Sequence, residues 1–260
     1  MDRHTMDELM GAPAETPDTL IRHMIHAARF IAEAGLLTPS GHANMTARLP
    51  GDPETLYLIG KRFDDSLRED DVAVINLRGG VRQGAVEANV AEVLGMHTAV
   101  YQRLTDVNEV NVVLHTHSPH TTAFAVAGRP MEVAIEALAL LGVTRPVPVT
   151  RAYAPRGGED AVGQILEAIG EDSPDTPDTP GTPAVLLANH GLLLWGRHVA
   201  HAVYTLLCLE ENAQMVLASQ ALGGPRVIDP EQTRRALARA EAFRRAGDLT
   251  GSPSASASRP

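Results

Sequence analysis

Three histidines define the chemistry that this sequence can carry. His115 and His117 stand two residues apart after the apolar run from Asn111 to Leu114, and His190 follows a second apolar run, Ala184 to Ala188. Alternate side chains of a strand point to one face, so a His-x-His pair at a strand end presents both imidazoles on the same side. His190 offers a third nitrogen and precedes Gly191, a residue able to take backbone turns closed to others. Three neutral imidazoles with a further position open describe a catalytic divalent-metal site rather than a closed structural one. A lone His-x-His is more often polar decoration of a strand end; the second strand-end histidine is what raises the pair above that.

The elements that must position these residues are legible as hydrophobic periods. Leu20, Ile21, Met24, Ile25, Ala28 and Ile31 follow the spacing of an amphipathic helix, with Asp18 or Thr19 as its cap and Gly35 as its end. Leu56 to Ile59 and Val72 to Asn76 are strand-like, the latter followed by the Gly79-Gly80 turn. Helical spacing returns over Asn89 to Arg103 and feeds the strand that ends in His115. Thr122 to Val126 and 159 to 169 are predicted helical, Met131 to Gly142 is a second apolar stretch, and Val147 to Thr150 is an edge strand or turn. A long apolar helix starts at Val199 and runs to about Ala221. The expected organisation is a disordered segment at 1–17, a domain at 18–226 with a solvated Pro-Asp-Thr loop at 171–183, a C-terminal helix at 227–247 and a disordered tail at 248–260. Short strands and separate helices, without regular βα alternation or a Gly-x-Gly-x-x-Gly turn, predict an α/β sandwich on a mainly antiparallel sheet.

Composition excludes several partners. The 260 residues carry 22 Lys+Arg against 32 Asp+Glu, a net charge of −10 that repels phosphate backbones and anionic lipid headgroups. Neither nucleic acid nor a membrane surface is expected as a partner. Cys208 is the single cysteine, so no intrachain disulfide can form, and the expected location is the cytoplasm. No run approaches the ~18 apolar residues of a membrane span.

Three segments, PSGHANMTAR (39–48), VVLHTHSPHTTAFA (112–125) and ANHGLLLWG (188–196), together resemble the class II aldolase and adducin family, over about residues 20 to 225. That family includes fuculose-phosphate and rhamnulose-phosphate aldolases, ribulose-phosphate 4-epimerases, decarboxylases, a dehydratase, non-haem iron oxygenases, and the non-catalytic cytoskeletal protein adducin. The resemblance implies a three-layer sandwich with a central antiparallel sheet, commonly a homotetramer. It makes His115, His117 and His190 the metal ligands, of zinc first and of iron or manganese as alternatives. The chemistry implied is aldol-type cleavage of a C–C bond next to a carbonyl through a metal-stabilised enediolate.

Departures from the family pattern decide the finer expectations. The aldolases carry a carboxylate four residues before a helical histidine; with His97 as that histidine, the position holds Val93, and Glu92 is one residue away. One residue on a helix rotates a side chain by ~100°, so Glu92 serves only if the helix start is re-registered. Glu87 is a further candidate, and if neither reaches the ion the centre is three histidines alone. The aldolases' phosphate-binding Ser-Ser is replaced within Ala88-Asn89-Val90-Ala91, which points away from a phosphorylated substrate. Asn44 matches a family asparagine and Gly60 a phosphate-loop glycine, both as substrate-binding candidates. Lys61, the sole lysine, follows Gly60 and is either an ordinary exposed side chain or a partner for a carboxylate or phosphate. The aldolases' proton-donating tyrosine, supplied by a neighbouring subunit, corresponds to Glu136, whose apolar neighbours suit it to acid/base work. Ser118 and His120 are candidates to line the pocket, although Ser118-Pro119 equally serves to turn the chain, and Trp195 is expected in the core or at a subunit contact. The expected function is a metal-dependent lyase acting on a small hydroxy-carbonyl or keto-acid compound. A decarboxylase or iron oxygenase of a keto or aromatic acid is the alternative, followed by an adducin-like module without chemistry.

Overall fold

The computed structural model describes residues 14, 16–105, 110–170 and 181–249. The segment expected without order at 1–17 therefore lies outside the described residues except for 14, 16 and 17, the 171–183 loop except for 181–183, and the tail except for 248 and 249.

Helix α1 (Pro17–Glu33) starts earlier than the Asp18 or Thr19 cap predicts: the Thr16 hydroxyl accepts the Thr19 N–H, and Pro17 fills the first helical position, where no N–H is required. It buries Leu20, Met24, Ile25, Ala28 and Ile31 along one face, and Gly35 leaves it with φ +69°. Strands β1 (Ala43–Leu49), β2 (Asp52–Ile59), β3 (Val72–Asn76) and β4 (Val81–Gln83) follow. The single helix expected over Asn89 to Arg103 is two, α2 (Ala88–Ala91) and α3 (Leu94–Arg103). Between them Val93 N–H bonds Val90 O and Met96 N–H bonds Val93 O, tighter i to i−3 turns that break the helical phase at Glu92 and Val93.

The chain continues with β5 (Val112–Thr116), α4 (Pro119–Ala127), α5 (Glu136–Leu140), α6 (Glu159–Ile169), β6 (Ala184–Leu187), β7 (Gly191–Gly196), α7 (Val199–Ser219) and α8 (Pro230–Leu249). The sheet order is β4-β3-β2-β1-β5-β7-β6, and every neighbouring pair is antiparallel. Strands β1 and β7 escape a search for alternation because they are buried on both faces. One face, with Met45, Ile59, Leu114 and Leu194, packs with Met24 of α1 and Leu206 of α7; the other, with Leu58, Val113, Leu193 and Trp195, packs with Val100 of α3 and Ile165 of α6. The molecule is thus the expected three-layer sandwich. Trp195 is core.

Register places the site. Across the sheet His115 lies between Asn44 of β1 and Leu193 of β7. Helix α4 begins two residues after His117, and its start is held from α7: the buried Glu210 carboxylate accepts the N–H groups of His120 (2.6 Å) and Thr121 (2.9 Å) and lies 2.9 Å from His120 Nδ1. A carboxylate at these N–H groups satisfies donors that the helix itself cannot. Replacement Glu210→Ala leaves them without an acceptor and costs about 1.5–3 kcal/mol, which for a chain of this size lowers Tm by roughly 3–12 °C. Thermal unfolding followed by circular dichroism measures this, and an unchanged Tm contradicts the capping role.

Candidate metal centre

His115 is on β5, His117 is one residue beyond its end, and His190 is in the turn from β6 to β7. That turn exists because Asn189 takes a left-handed conformation (φ +57°), a region asparagine tolerates better than most residues, while its N–H bonds Ala125 O (3.0 Å). Gly191 has a different role from the turn-forming one its type predicts. A Cβ there would lie 2.6 Å from Thr116 O, 2.9 Å from His117 Cδ2 and 3.3 Å from His115 Cε1. Glycine is required because two imidazoles and a carbonyl occupy the space of its side chain.

The three rings converge. Their centroids are 4.8 to 5.1 Å apart, and one ring nitrogen from each lies within 4.8 Å of the others. His115 is buried, and its Nδ1–H donates to Leu192 O (2.9 Å), leaving the Nε2 lone pair directed away from that bond. Such a backbone carbonyl fixes both the tautomer and the ring plane of a ligating histidine. His117 is held by its backbone, N–H to His42 O and C=O to Thr38 N–H.

All three imidazoles are kept neutral. Burial and then the neighbouring His190 and His117 push His115 well below its ordinary range. Burial, followed by His190, His42 and Arg156, lowers His117 to about 4. His190 is lowered by burial, then by Arg156 and His42. Neutral, convergent nitrogens with a fixed outer N–H suit a divalent cation of the zinc, iron or manganese type, since a metal need displace no proton from them near neutral pH.

The other candidates are distributed as follows. Among the described residues the cluster of donor atoms contains no carboxylate. Glu92 is exposed where the helix breaks, and Val93, at the position of the aldolase glutamate, is buried; the broken turn leaves Glu92 on the outside rather than re-registering it inward. Glu87 is exposed before α2. Glu136 is exposed at the first turn of α5, with Leu138 and Ala139 rather than its own side chain facing the core, so the apolar surroundings expected for it are absent among the described residues.

Asn44 neighbours His115 and accepts a 2.6 Å bond from His97 Nε2–H. His97 Nδ1 accepts from the Thr46 hydroxyl (2.9 Å), and the Tyr101 hydroxyl bonds Thr46 O (3.0 Å), so a buried chain of four side chains orients the Asn44 amide. Burial lowers His97 to about 3. Gly60 is one step beyond the last paired position of β2, opposite Asn44, and a Cβ there would strike Val90 Cγ1 at 2.5 Å; α2 packs onto the strand end through this glycine. Lys61 is exposed and paired with Asp71. Ser118 is fully buried with its hydroxyl donating to Leu36 O (2.6 Å) and lying 2.9 Å from Thr116 Oγ1; it shapes the loop after His117 instead of facing a ligand. His120 pairs with Glu210. Sequence patterns give no signal for Glu210 or Arg156, because the contacts that matter join segments far apart in the chain.

Residues 22–217 match the model of the class II aldolase and adducin N-terminal domain. The chain is 31% identical over 197 residues to the methylthioribulose-1-phosphate dehydratase of Methylococcus capsulatus, covering 74% of this chain and 90% of that one. It is 28% identical over 172 residues to the L-ribulose-5-phosphate 4-epimerase of Salmonella typhi, covering 61% and 67%. The solved L-fuculose 1-phosphate aldolase from Glaciozyma antarctica shares the fold, with a TM-score of 0.66 at 21% identity over 95% and 97% of the two chains.

Two outcomes are expected. Gly191→Ala pushes the His115 and His117 rings apart, so zinc affinity in chelator competition falls by about tenfold or more while the protein still folds; unchanged affinity contradicts the packing account. In metal-free protein His97, His117 and His201 are depressed to about 3, 4 and 4 from 6.5. Between those values the unfolded chain binds more protons than the folded one, so stability falls as pH drops from about 6.5 toward 4. Tm measured in chelator across this range should decline steadily, and a flat profile would show these imidazoles to be solvated.

Proposed function

The chain belongs to the class II aldolase and adducin family, and on that premise we propose that it is a metal-dependent lyase whose ion is held by His115, His117 and His190. The observation that carries this is the convergence of three neutral ring nitrogens, with His115 fixed by Leu192 O. A bound divalent cation supplies a Lewis acid that stabilises negative charge developing on a carbonyl oxygen as the adjacent C–C bond breaks. The protein's own contribution is to keep the imidazoles unprotonated and at fixed angles, and to orient Asn44 beside His115 through His97. Zinc is the first candidate, with iron or manganese as alternatives, and the assembly proposed is a homotetramer. Among the described residues no helix is long and apolar enough to cross a membrane.

The substrate proposed is a small hydroxy-carbonyl or keto-acid compound without a phosphate. The stretch Ala88 to Ala91 forms α2, and its buried side chain, Val90, packs on Gly60; it presents no serine hydroxyl to a phosphate. The names of the relatives, which include an aldolase, a dehydratase and an epimerase of sugar phosphates, support chemistry beside a carbonyl without choosing among these reactions. A second reading, decarboxylation or iron-dependent oxygenation of a keto or aromatic acid, is favoured by the ligand cluster without a carboxylate and by the outward Glu92. A purely structural, adducin-like role is disfavoured, since it has no use for three convergent imidazoles.

Metal analysis of protein purified without added metal separates the readings: zinc supports the aldol reaction, iron the oxygen chemistry. His117→Ala and His190→Ala should each abolish metal retention with the far-ultraviolet spectrum unchanged, and turnover of hydroxy-carbonyl compounds should fall by at least about 100-fold. Full activity in either variant ends the metal hypothesis.

A further inference from the structure

Beside His190 a cleft is lined by Met96, Thr150, Arg156, Gln164 and Leu187. Among the described residues Arg156 is the one cation in this lining. It is exposed, and among the described residues it makes neither a hydrogen bond nor an ion pair, although the nearby Arg151 binds both Asp160 and Glu167. Arg156 and His190 line the same cleft, which places the guanidinium at the mouth of the metal centre. Glu92 lies against the neighbouring Gly157, and among the described residues no ion pair joins it to Arg156.

The loop bearing Arg156 is fixed at its root. The Thr150 hydroxyl accepts Ala188 N–H (2.8 Å), Gln164 Oε1 accepts Ala152 N–H (2.9 Å), and Arg151 reaches Asp160 (2.8 Å). Gln164 is itself buried and donates to Asp160, so both ends of its amide are engaged in anchoring the loop to α6. A planar five-donor fork with no partner among the described residues, beside three neutral nitrogens, suits a carboxylate or phosphoryl group, which it can bind with two parallel hydrogen bonds.

We propose that Arg156 is the anion anchor of this site, seating an oxyanion group of the substrate between itself and the metal held by His115, His117 and His190. The inference rests on the metal-site assignment and narrows the substrate to an anion whose charged group lies close to the reacting carbonyl. Carboxylate and phosphoryl share the recognition chemistry; a carboxylate agrees with the missing serine hydroxyls.

The test is calorimetric titration of zinc-loaded wild type, Arg156→Gln and Arg156→Lys with oxalate, inorganic phosphate and acetohydroxamate, a metal chelator without a second oxyanion group. Arg156→Gln should weaken oxalate or phosphate binding by about tenfold or more, and the anion with the larger loss identifies the source. Arg156→Lys should retain part of the affinity, because charge survives but the fork does not. Acetohydroxamate affinity and zinc content should be the same in all three proteins. Equal oxalate and phosphate affinities in wild type and Arg156→Gln, or no binding of either to wild type that does bind acetohydroxamate, overturn the anchor alone. Failure of wild type to retain zinc or bind acetohydroxamate overturns the metal assignment beneath it.

Discussion

The bond from His115 Nδ1–H to Leu192 O couples the site to the sheet. It forms because β5 and β7 are paired antiparallel, with Thr116 opposite Leu192 and His115 opposite Leu193, so the acceptor is supplied by the same strand that follows His190. Two histidines 75 positions apart in sequence are thereby placed by one strand pair. The arrangement tolerates no side chain at Gly191, where backbone and rings already fill the space. The convergence of the imidazoles is thus a property of strand register, which is hard to alter without moving every inward side chain.

The supporting layers serve the same end from both faces. Behind β5, α7 contributes Glu210 to hold the start of α4, and so limits where the loop after His117 can lie. On the opposite face α3 contributes His97 and Tyr101, which with Thr46 orient Asn44 next to His115. Satisfied buried polar chains of this kind specify one arrangement, because any alternative leaves a donor or acceptor without a partner. The neutral state of His97 follows from the same burial.

The sequence was informative wherever chemistry repeats a local pattern. His-x-His at the end of an apolar run and Asn-His-Gly at the end of another announced both the residues and their strands, and the fold class followed from the lack of βα alternation. Strands β1 and β7 carried no period because helices cover them on both faces. The break at Glu92 and Val93 was not visible, since the apolar spacing on either side is helical and only the i to i−3 bonds reveal the lost phase. Ser118 looked available from its place beside His117, yet its hydroxyl is engaged with Leu36 O. Arg156 and Glu210 have no local signature at all; their significance comes from neighbours on distant segments.

The outermost strand has one further property. Pro148 O accepts Leu186 N–H and Thr150 N–H bonds Leu186 O, while Val149 forms a parallel bridge to Leu186. The outward main-chain groups of Leu186 on β6 are therefore already bonded by its own chain, and a strand from another molecule cannot pair with the sheet at that position. Self-association there must use side-chain surfaces rather than main-chain zippering, and the strap that bonds Leu186 is the same one from which the arginine loop departs.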